Sequence, residues 1–143
     1  MSRVQLALNV SNLEEAVAFY GKLFQTTPAK IREGYANFAI AEPPLKLVLF
    51  ENPPAAGTLN HLGVEVESTA DVVAATRRLD AEGLPTKVED NVACCHALQD
   101  KVWVSGADTR WEVYTVLADA PAAGAGCACD GGDGDVCCGV PTA

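Results

Sequence analysis

An internal repeat constrains the fold of this chain more than any other feature of its sequence. VQLALNV at residues 4–10 and NHLGVEV at residues 60–66 both alternate aliphatic with polar or small side chains, which is typical of a strand with one buried face. Aligning the two segments places Gln5 opposite His61. Both residues lie on the strand face that lacks the regular aliphatic side chains.

A helix is predicted after each of these strands. Ser11 is the predicted N-cap of the first helix, and Glu14 completes a capping box with it. Apolar residues then recur at helical spacing, at Leu13, Ala16, Val17, Tyr20, Leu23 and Phe24. Ser68 and Asp71 open the second helix, and Gly83 ends it.

Three short strands are predicted after each helix. In the first half they lie around Lys30 and in YANFAI and LKLVLFE, and in the second half they are TKVED, DKVWV and RWEVYTV. Aligning the last strand of each half places Glu112 opposite Val48, whose side chain cannot bind a metal. Each half therefore has the order βαβββ, which predicts an α+β fold.

The repeat also predicts the domain organisation. One domain is expected over residues 1–118, built from modules at about 1–54 and 57–118. Residues 119–143 are rich in Gly, Ala and Asp and have no apolar period, so we expect a disordered tail. This tail carries Cys127, Cys129, Cys137 and Cys138.

Composition excludes several classes of partner. The formal net charge of −9 argues against nucleic acid and anionic lipid. No segment approaches the roughly 18 apolar residues of a membrane span, and none resembles a signal peptide, so we expect a cytoplasmic protein. Thiols stay reduced in the cytoplasm, and the six cysteines therefore favour metal or metalloid chemistry over disulfides.

Gln5, His61 and Glu112 are the candidate metal ligands. They would offer an amide oxygen, an imidazole nitrogen and a carboxylate, which suit a hard or borderline divalent ion and leave coordination positions open. Glu65 and Glu67 share the strand face of His61 and remain alternatives to Glu112. The two glutamates rank lower because their repeat partners lie at the end of the first strand.

NVACCHALQD at residues 91–100 places two adjacent cysteines beside a histidine. Adjacent cysteines rarely bridge to each other, whereas two neighbouring thiols suit a soft acceptor such as trivalent arsenic. Cys94 and Cys95 are therefore candidate substrate ligands, and His96 could favour their thiolate form. Because the segment has no strong hydrophobic period, we predict a mobile loop.

Two βαβββ modules with polar residues on their first and last strands resemble the vicinal oxygen chelate superfamily. Within it, the chain is similar to ArsI-type carbon–arsenic lyases and to the related cadmium-induced proteins. The stretches that carry the resemblance are MSRVQLALNV, GYANFAIAEPPLKLVLFENP, GTLNHLGVEVES, CCHALQDKVWV and RWEVYTVLAD. It implies that the modules form a partly closed β-barrel in which equivalent strands bring their inward-facing residues to one metal site.

The resemblance also implies an activity and its residues. Gln5, His61 and Glu112 would bind Fe(II), with O2 as co-substrate, and Cys94 and Cys95 would bind the arsenic. The expected function is an Fe(II)-dependent dioxygenase that cleaves the carbon–arsenic bond of small trivalent organoarsenicals. Methylarsenite and trivalent aromatic arsenicals would be substrates, and the products would be arsenite and an oxidised organic fragment.

Two other functions remain open. The first is a non-enzymatic cadmium- or arsenite-binding protein, which the cysteine-rich tail and the cadmium-induced relatives favour. The tail cysteines would then capture soft metal or arsenite. The second is a glyoxalase-like or antibiotic-sequestering protein, but neither of these roles requires two adjacent thiols.

Overall fold

The computed structural model describes residues 2–94 and 96–120. Two compact units divide this chain, one spanning Arg3–His61 and the other beginning at Leu62. Each βαβββ set is present in the predicted order, and the first strand of the second set crosses the boundary between the units. The prediction of an α+β fold with two βαβββ modules is confirmed.

The first module contains β1 Arg3–Val10, α1 Leu13–Leu23, β2 Lys30–Arg32, β3 Tyr35–Ile40 and β4 Leu45–Glu51. A short 3₁₀ helix, Pro53–Ala55, follows it. The second module contains β5 Leu59–Glu65, α2 Thr69–Ala81, β6 Thr86–Cys94, β7 Ala97–Gly106 and β8 Thr109–Asp119. Neither helix in the described part of the chain is long and apolar enough to cross a membrane.

Strand pairing confirms the alignment of the repeat. The first module has the strand order β2-β3-β4-β1, and the second has β5-β8-β7-β6. In both modules the first strand runs parallel to the last strand. Ala7 stands opposite Val48 in the first pair, and Gly63 stands opposite Glu112 in the second pair. The residues that the sequence alignment matches therefore occupy the same positions in the two modules.

Each module buries one sheet face against its own helix. In the first module the buried cluster comprises Phe38, Ile40, Leu47 and Leu49. In the second module it comprises Val72, Leu79 and Val102. Because side chains alternate along a strand, the residues between these apolar positions lie on the opposite face. The candidate ligands belong to that opposite face in both modules.

The start of α1 differs from the prediction. Asn12, and not Ser11, is the N-cap, and its side chain accepts a hydrogen bond from the backbone N–H of Glu15 at 2.9 Å. Leu13 N–H is bonded to the Glu51 carboxylate at 2.8 Å. The chain leaves β1 one residue later than the capping-box pattern assumes, so Asn12 has the extended backbone that an N-cap needs.

Both predicted ends of α2 are confirmed. The Ser68 side chain accepts a hydrogen bond from Asp71 N–H at 3.2 Å. At the other end, Gly83 has a positive φ of 72°, and its N–H is bonded to Asp80 O. Leu84 N–H reaches back to Leu79 O, which completes the hydrogen-bond pattern of a glycine-terminated helix.

The prediction of a loop at residues 91–100 is wrong for the described residues. β6 extends through Cys94, and β7 begins at Ala97, directly opposite it. A bulge between Glu89 and Val92 adds one residue to β6 and breaks the alternation that would have indicated a strand. Asn91 has a φ of 54°, and its N–H is bonded to the Asp100 carboxylate at 2.7 Å. Cys95 and residues 121–143, including the four tail cysteines, lie outside the described residues.

Candidate functional site

Gln5 of β1 and His61 of β5 are in contact. Their side chains are buried, with residue exposures of 4% and 5%. Gln5 Nε2 lies 3.2 Å from His61 Nε2. Because β1 places Gln5 beside the start of β5, this contact brings together the two residues that occupy equivalent positions in the repeat.

The second ring nitrogen of His61 also has a partner. His61 Nδ1 lies 2.7 Å from the amide oxygen of Asn60, and Asn60 Nδ2 donates to Asn9 Oδ1 at 3.2 Å. A metal-binding histidine commonly uses one ring nitrogen for the metal and donates the other to an oxygen. The two ring nitrogens of His61 are oriented in that way, with Nε2 on the side of Gln5.

Aromatic rings flank this pair of polar side chains. The ring centroid of Phe50 lies 6.4 Å from that of His61, and the ring of Tyr35 lies 5.6 Å from that of Phe50. Asn37, which is buried on the same strand face, donates to the Tyr35 hydroxyl at 2.8 Å. His61 is therefore buried beside aromatic rings, and burial strengthens its electrostatic interactions with any charge placed there.

Glu112 forms a buried ion pair on the polar face of the second module, which is the sheet face that carries Lys101, Trp103 and Glu112. Lys101 Nζ is 2.7 Å from Glu112 Oε2. The ammonium group also lies 5.2 Å from the centroid of the Trp103 ring and 5.9 Å from that of Tyr114. Full burial of a lysine is rare without such partners. Lys101 is a residue of the site that the sequence analysis did not identify.

Further charged groups line this second face. Arg110 stacks on Trp103 with its guanidinium carbon 4.1 Å from the ring centroid. The Trp103 indole N–H points to a Glu89 carboxylate oxygen at 3.3 Å. Of the two alternative ligands, Glu65 accepts a hydrogen bond from the Tyr114 hydroxyl at 3.0 Å. The other alternative, Glu67, is exposed and lies beyond the end of β5.

Cys94 projects from the same sheet face as Glu112. It pairs with Ala97, and directly opposed residues of antiparallel strands share a face. Along β7 this face continues through alternate residues to Trp103, which is paired with Glu112. Cys94 is only 4% exposed. Ala97 and Trp103, the β7 residues paired with Cys94 and Glu112, are about 20 Å apart along an extended strand.

Gln99 lies between Cys94 and Lys101 on this face. Its side chain is buried, with a residue exposure of 4%. Within the described part of the chain, Gln99 Oε1 is buried and has no hydrogen-bond donor. A buried amide oxygen of this kind can accept a hydrogen bond from a hydroxyl group of a ligand.

The predicted site residues are thus found in two groups. Gln5 and His61 contact each other in the unit that spans Arg3–His61, whereas Glu112 and Cys94 belong to the unit that begins at Leu62. Residues 2–94 and 96–120 contain no cluster of three or more His, Cys, Asp and Glu side chains arranged to hold a metal. The predicted ligand set contains only two residues of these four types, because Gln5 is an amide.

The donor set nevertheless fits a divalent transition metal. Imidazole nitrogen, carboxylate oxygen and amide oxygen are all ligands of Fe(II), Mn(II) and similar ions. His61 has its Nδ1 bonded to an oxygen, and Glu112 has one carboxylate oxygen bonded to Lys101. Such supporting bonds are what metal ligands usually receive from their surroundings.

The chain matches a known protein family. The model of the Glyoxalase/Bleomycin resistance protein/Dioxygenase superfamily matches residues 3–105. Cadmium-induced protein CadI of Mycobacterium tuberculosis is 62% identical over 127 residues, which cover 88% of this chain and 84% of CadI. The trivalent organoarsenical cleaving enzyme of Thermomonospora curvata is 62% identical over 122 residues, which cover 84% of this chain and 81% of that enzyme.

Solved structures are similar in fold at much lower sequence identity. The Mn(II)-bound glyoxalase of Novosphingobium aromaticivorans has a TM-score of 0.57 and 19% identity, and the match covers 87% of this chain and 43% of the glyoxalase. Homoprotocatechuate 2,3-dioxygenase of Arthrobacter globiformis also has a TM-score of 0.57, with 18% identity, and the match covers 82% of this chain and 36% of the dioxygenase. At these identities the likeness extends to the fold alone.

Proposed function

This chain belongs to the glyoxalase/bleomycin resistance protein/dioxygenase superfamily, and we propose that it is an Fe(II)-dependent dioxygenase that cleaves the carbon–arsenic bond of trivalent organoarsenicals. Relatives named trivalent organoarsenical cleaving enzyme, at 62% and 38% identity, support this activity. The substrates would be methylarsenite and trivalent aromatic arsenicals. The organic fragment is oxidised in the reaction, and arsenite is released.

Gln5, His61 and Glu112 hold the metal in this proposal. When bound, Fe(II) supplies the activation of O2. Gln5 offers its amide oxygen, His61 offers Nε2, and Glu112 offers its carboxylate, which is oriented by Lys101. The contact between Gln5 and His61 is the observation that carries this assignment, because Nδ1 of the same imidazole is bonded to the Asn60 amide oxygen.

Cys94 and Cys95 capture the arsenic. In a substrate of the form R–As(OH)2, each thiol forms one S–As bond while one As–O bond breaks. The leaving hydroxyl takes the thiol proton and departs as water, so capture involves no change of oxidation state. Gln99 Oε1, which lacks a donor in the described part of the chain, supports this role because it can accept a hydrogen bond from a hydroxyl group of the incoming R–As(OH)2 before the thiols displace it.

In this proposal, capture and cleavage take place at different ends of the polar sheet face of the second module. Cys94 lies at the β6–β7 end, and Glu112 lies opposite Trp103, about 20 Å away along the strand. In this proposal the captured arsenic has to reach the metal before its carbon substituent is oxidised. For methylarsenite, CH3As(OH)2 and O2 together balance as As(OH)3 and formaldehyde, so the carbon is oxidised and arsenic remains trivalent.

Substitution of one residue from each group tests this division of roles. Cys94→Ser is expected to abolish methylarsenite cleavage and to leave Fe(II) binding intact. His61→Ala is expected to abolish Fe(II) binding and to leave anaerobic capture of methylarsenite intact. Full-rate cleavage by Cys94→Ser or by Cys95→Ser would contradict the assignment of the thiols.

A non-enzymatic cadmium- or arsenite-binding protein is the second candidate function. CadI is as similar to this chain as the organoarsenical cleaving enzyme is, since both are 62% identical. Anaerobic and aerobic incubation with Fe(II) and methylarsenite distinguish the two functions. Binding without any release of arsenite in air would favour the second candidate, whereas oxygen-dependent release favours the lyase.

A further inference from the structure

His61 stands at the end of a chain of hydrogen bonds that begins at a backbone carbonyl group. Thr58 Oγ1 donates to the Ala55 carbonyl oxygen at 2.6 Å, and Asn9 Nδ2 donates to Thr58 Oγ1 at 3.0 Å. Asn60 Nδ2 donates to Asn9 Oδ1 at 3.2 Å, and Asn60 Oδ1 lies 2.7 Å from His61 Nδ1. All five residues belong to the unit that spans Arg3–His61.

The Ala55 carbonyl group sets the direction of every bond in this chain. A carbonyl oxygen can only accept, so the single hydroxyl proton of Thr58 is directed to Ala55. The Thr58 oxygen must then accept from Asn9, which turns the amide oxygen of Asn9 toward Asn60. Asn60 in turn presents its NH2 group to Asn9 and its oxygen to His61. A flipped amide at any step would place two acceptors or two donors face to face.

This direction determines the tautomer of His61. An oxygen facing Nδ1 requires a proton on Nδ1, and a neutral imidazole carries only one ring proton. Nε2 therefore keeps its lone pair. Gln5 Nε2, which lies 3.2 Å away, donates to that lone pair when no metal is bound. A metal ion needs the same lone pair, and Gln5 must then rotate its amide to present the oxygen.

The backbone fixes the first links of the chain. Asn9 N–H is bonded to Thr58 O at 2.9 Å, and Gly57 N–H is bonded to Asn9 O at 2.9 Å. Asn52 Nδ2 also approaches Asn9 Oδ1, at 3.4 Å, so that oxygen has a second donor. Because Asn9 is held on both its backbone and its side chain, its amide cannot turn without losing several hydrogen bonds.

We propose that Thr58, Asn9 and Asn60 are positioning residues that hold His61 in the tautomer protonated on Nδ1, so that Nε2 keeps the lone pair that a metal needs. They act through His61 and touch neither the metal nor the substrate. The role toward the metal rests on the proposed function, whereas the tautomer is a property of the metal-free protein. An experiment can therefore refute the role toward the metal without refuting the tautomer, and the reverse.

Nitrogen-15 NMR of the metal-free full-length protein tests the tautomer directly. An imidazole nitrogen with a lone pair and one with a proton have well separated chemical shifts. The chain has two histidines, and the signals that disappear in His61→Ala identify His61. We expect one neutral form, with the proton on Nδ1. A proton on Nε2, or an equal mixture of tautomers, would overturn the proposal.

Variants at both ends of this chain of hydrogen bonds test whether it determines the tautomer of His61. Asn60→Leu removes the acceptor, and Thr58→Val removes the hydroxyl that sets the direction, so both are expected to populate the tautomer protonated on Nε2. Thr58→Ser keeps the hydroxyl and is the matched control, so it should retain the wild-type tautomer. Asn60→Asp keeps an oxygen on His61 Nδ1 but places a second acceptor against Asn9 Oδ1, so it should retain the wild-type tautomer through the last bond alone. If the tautomer of His61 were unchanged in both Asn60→Leu and Thr58→Val, the proposal that these hydrogen bonds determine it would be wrong.

Anaerobic titration with Fe(II) alone measures the consequence for the metal. Loss of a group that supports a ligand typically costs 10–100-fold in metal affinity, so Asn60→Leu should bind Fe(II) roughly 10–100-fold more weakly. Asn60→Asp should bind at least as tightly as the wild type. A wild-type protein with the expected tautomer but without Fe(II) binding would refute the metal site and leave the tautomer assignment standing. Equal Fe(II) affinity in Asn60→Leu and the wild type would refute the positioning role.

Discussion

Lys101 Nζ lies 2.7 Å from Glu112 Oε2, and the two side chains are only 1% and 4% exposed. Burial removes both charges from water, and this cost is offset only while each charge keeps its partner. Glu112 is also a proposed metal ligand. In the metal-free protein, Lys101 thus neutralises the carboxylate of a proposed metal ligand.

Lys101→Met is expected to lower the free energy of unfolding of the metal-free protein by about 3–5 kcal/mol, because it leaves the Glu112 carboxylate buried without its cation. Urea unfolding measures this change. Lys22→Met, at an exposed position of α1, is the control and should change stability by less than about 0.5 kcal/mol. Fe(II) should stabilise Lys101→Met more than the wild type, since a bound cation also neutralises Glu112. Equal stability of Lys101→Met and the wild type would show that the ion pair with Lys101 does not stabilise the buried Glu112 carboxylate.

Asn12→Ala is expected to destabilise the protein by about 1 kcal/mol, because the N-cap bond to the Glu15 N–H is lost. Ser11→Ala is the matched control and should have little effect, because Asn12 rather than Ser11 caps α1. Thermal or urea unfolding of the two variants separates these positions. A larger loss in Ser11→Ala than in Asn12→Ala would contradict the assigned helix start.

Gln5→Glu is expected to raise the affinity for Fe(II), because a carboxylate is a stronger ligand for a divalent cation than a neutral amide. Gln5→Leu should lower that affinity. Isothermal titration under anaerobic conditions provides both values. Gln25→Glu introduces the same charge at an exposed position and should leave the affinity unchanged. If Gln5→Leu bound Fe(II) as tightly as the wild type, Gln5 would not be a ligand.

Cys94→Ser is expected to weaken the capture of a trivalent arsenical by at least about 100-fold, because one of two thiolate ligands is replaced by a hard hydroxyl group. Anaerobic equilibrium binding of phenylarsenite measures this effect. The matched control replaces all four tail cysteines with serine and should retain the wild-type affinity. The opposite pattern, with capture lost only in the tail variant, would assign binding to the tail and favour the binding function.

The repeat in the sequence predicted the fold because strand alternation and helix periodicity are local properties. The matched pairs Ala7–Val48 and Gly63–Glu112 confirm that the alignment holds within each module. The strand around Cys94 was missed because the bulge after Glu89 interrupts alternation, and bulges leave no simple sequence pattern.

Lys101 and Asn60 could not be identified from the sequence as parts of the site. A lysine in a strand normally extends to solvent, and the diagonal position of Glu112 across β7 and β8 and the rings of Trp103 and Tyr114 explain its burial. The Asn60 amide is oriented by Asn9, which is far away in the sequence and adjacent only in the folded unit. Hydrogen-bond direction is a property of such assembled networks and not of any one segment.

Arsenic speciation after incubation of the protein with methylarsenite is the most direct test of the proposed activity. With Fe(II) and air, we predict conversion of methylarsenite to arsenite over many turnovers, with one O2 consumed for each arsenite formed. Without Fe(II), without O2, or with His61→Ala, methylarsenite should remain intact. Arsenite formation that continues in His61→Ala or under strict anaerobic conditions would contradict a metal-dependent dioxygenase, and stable binding of methylarsenite in air with Fe(II) would contradict catalysis altogether.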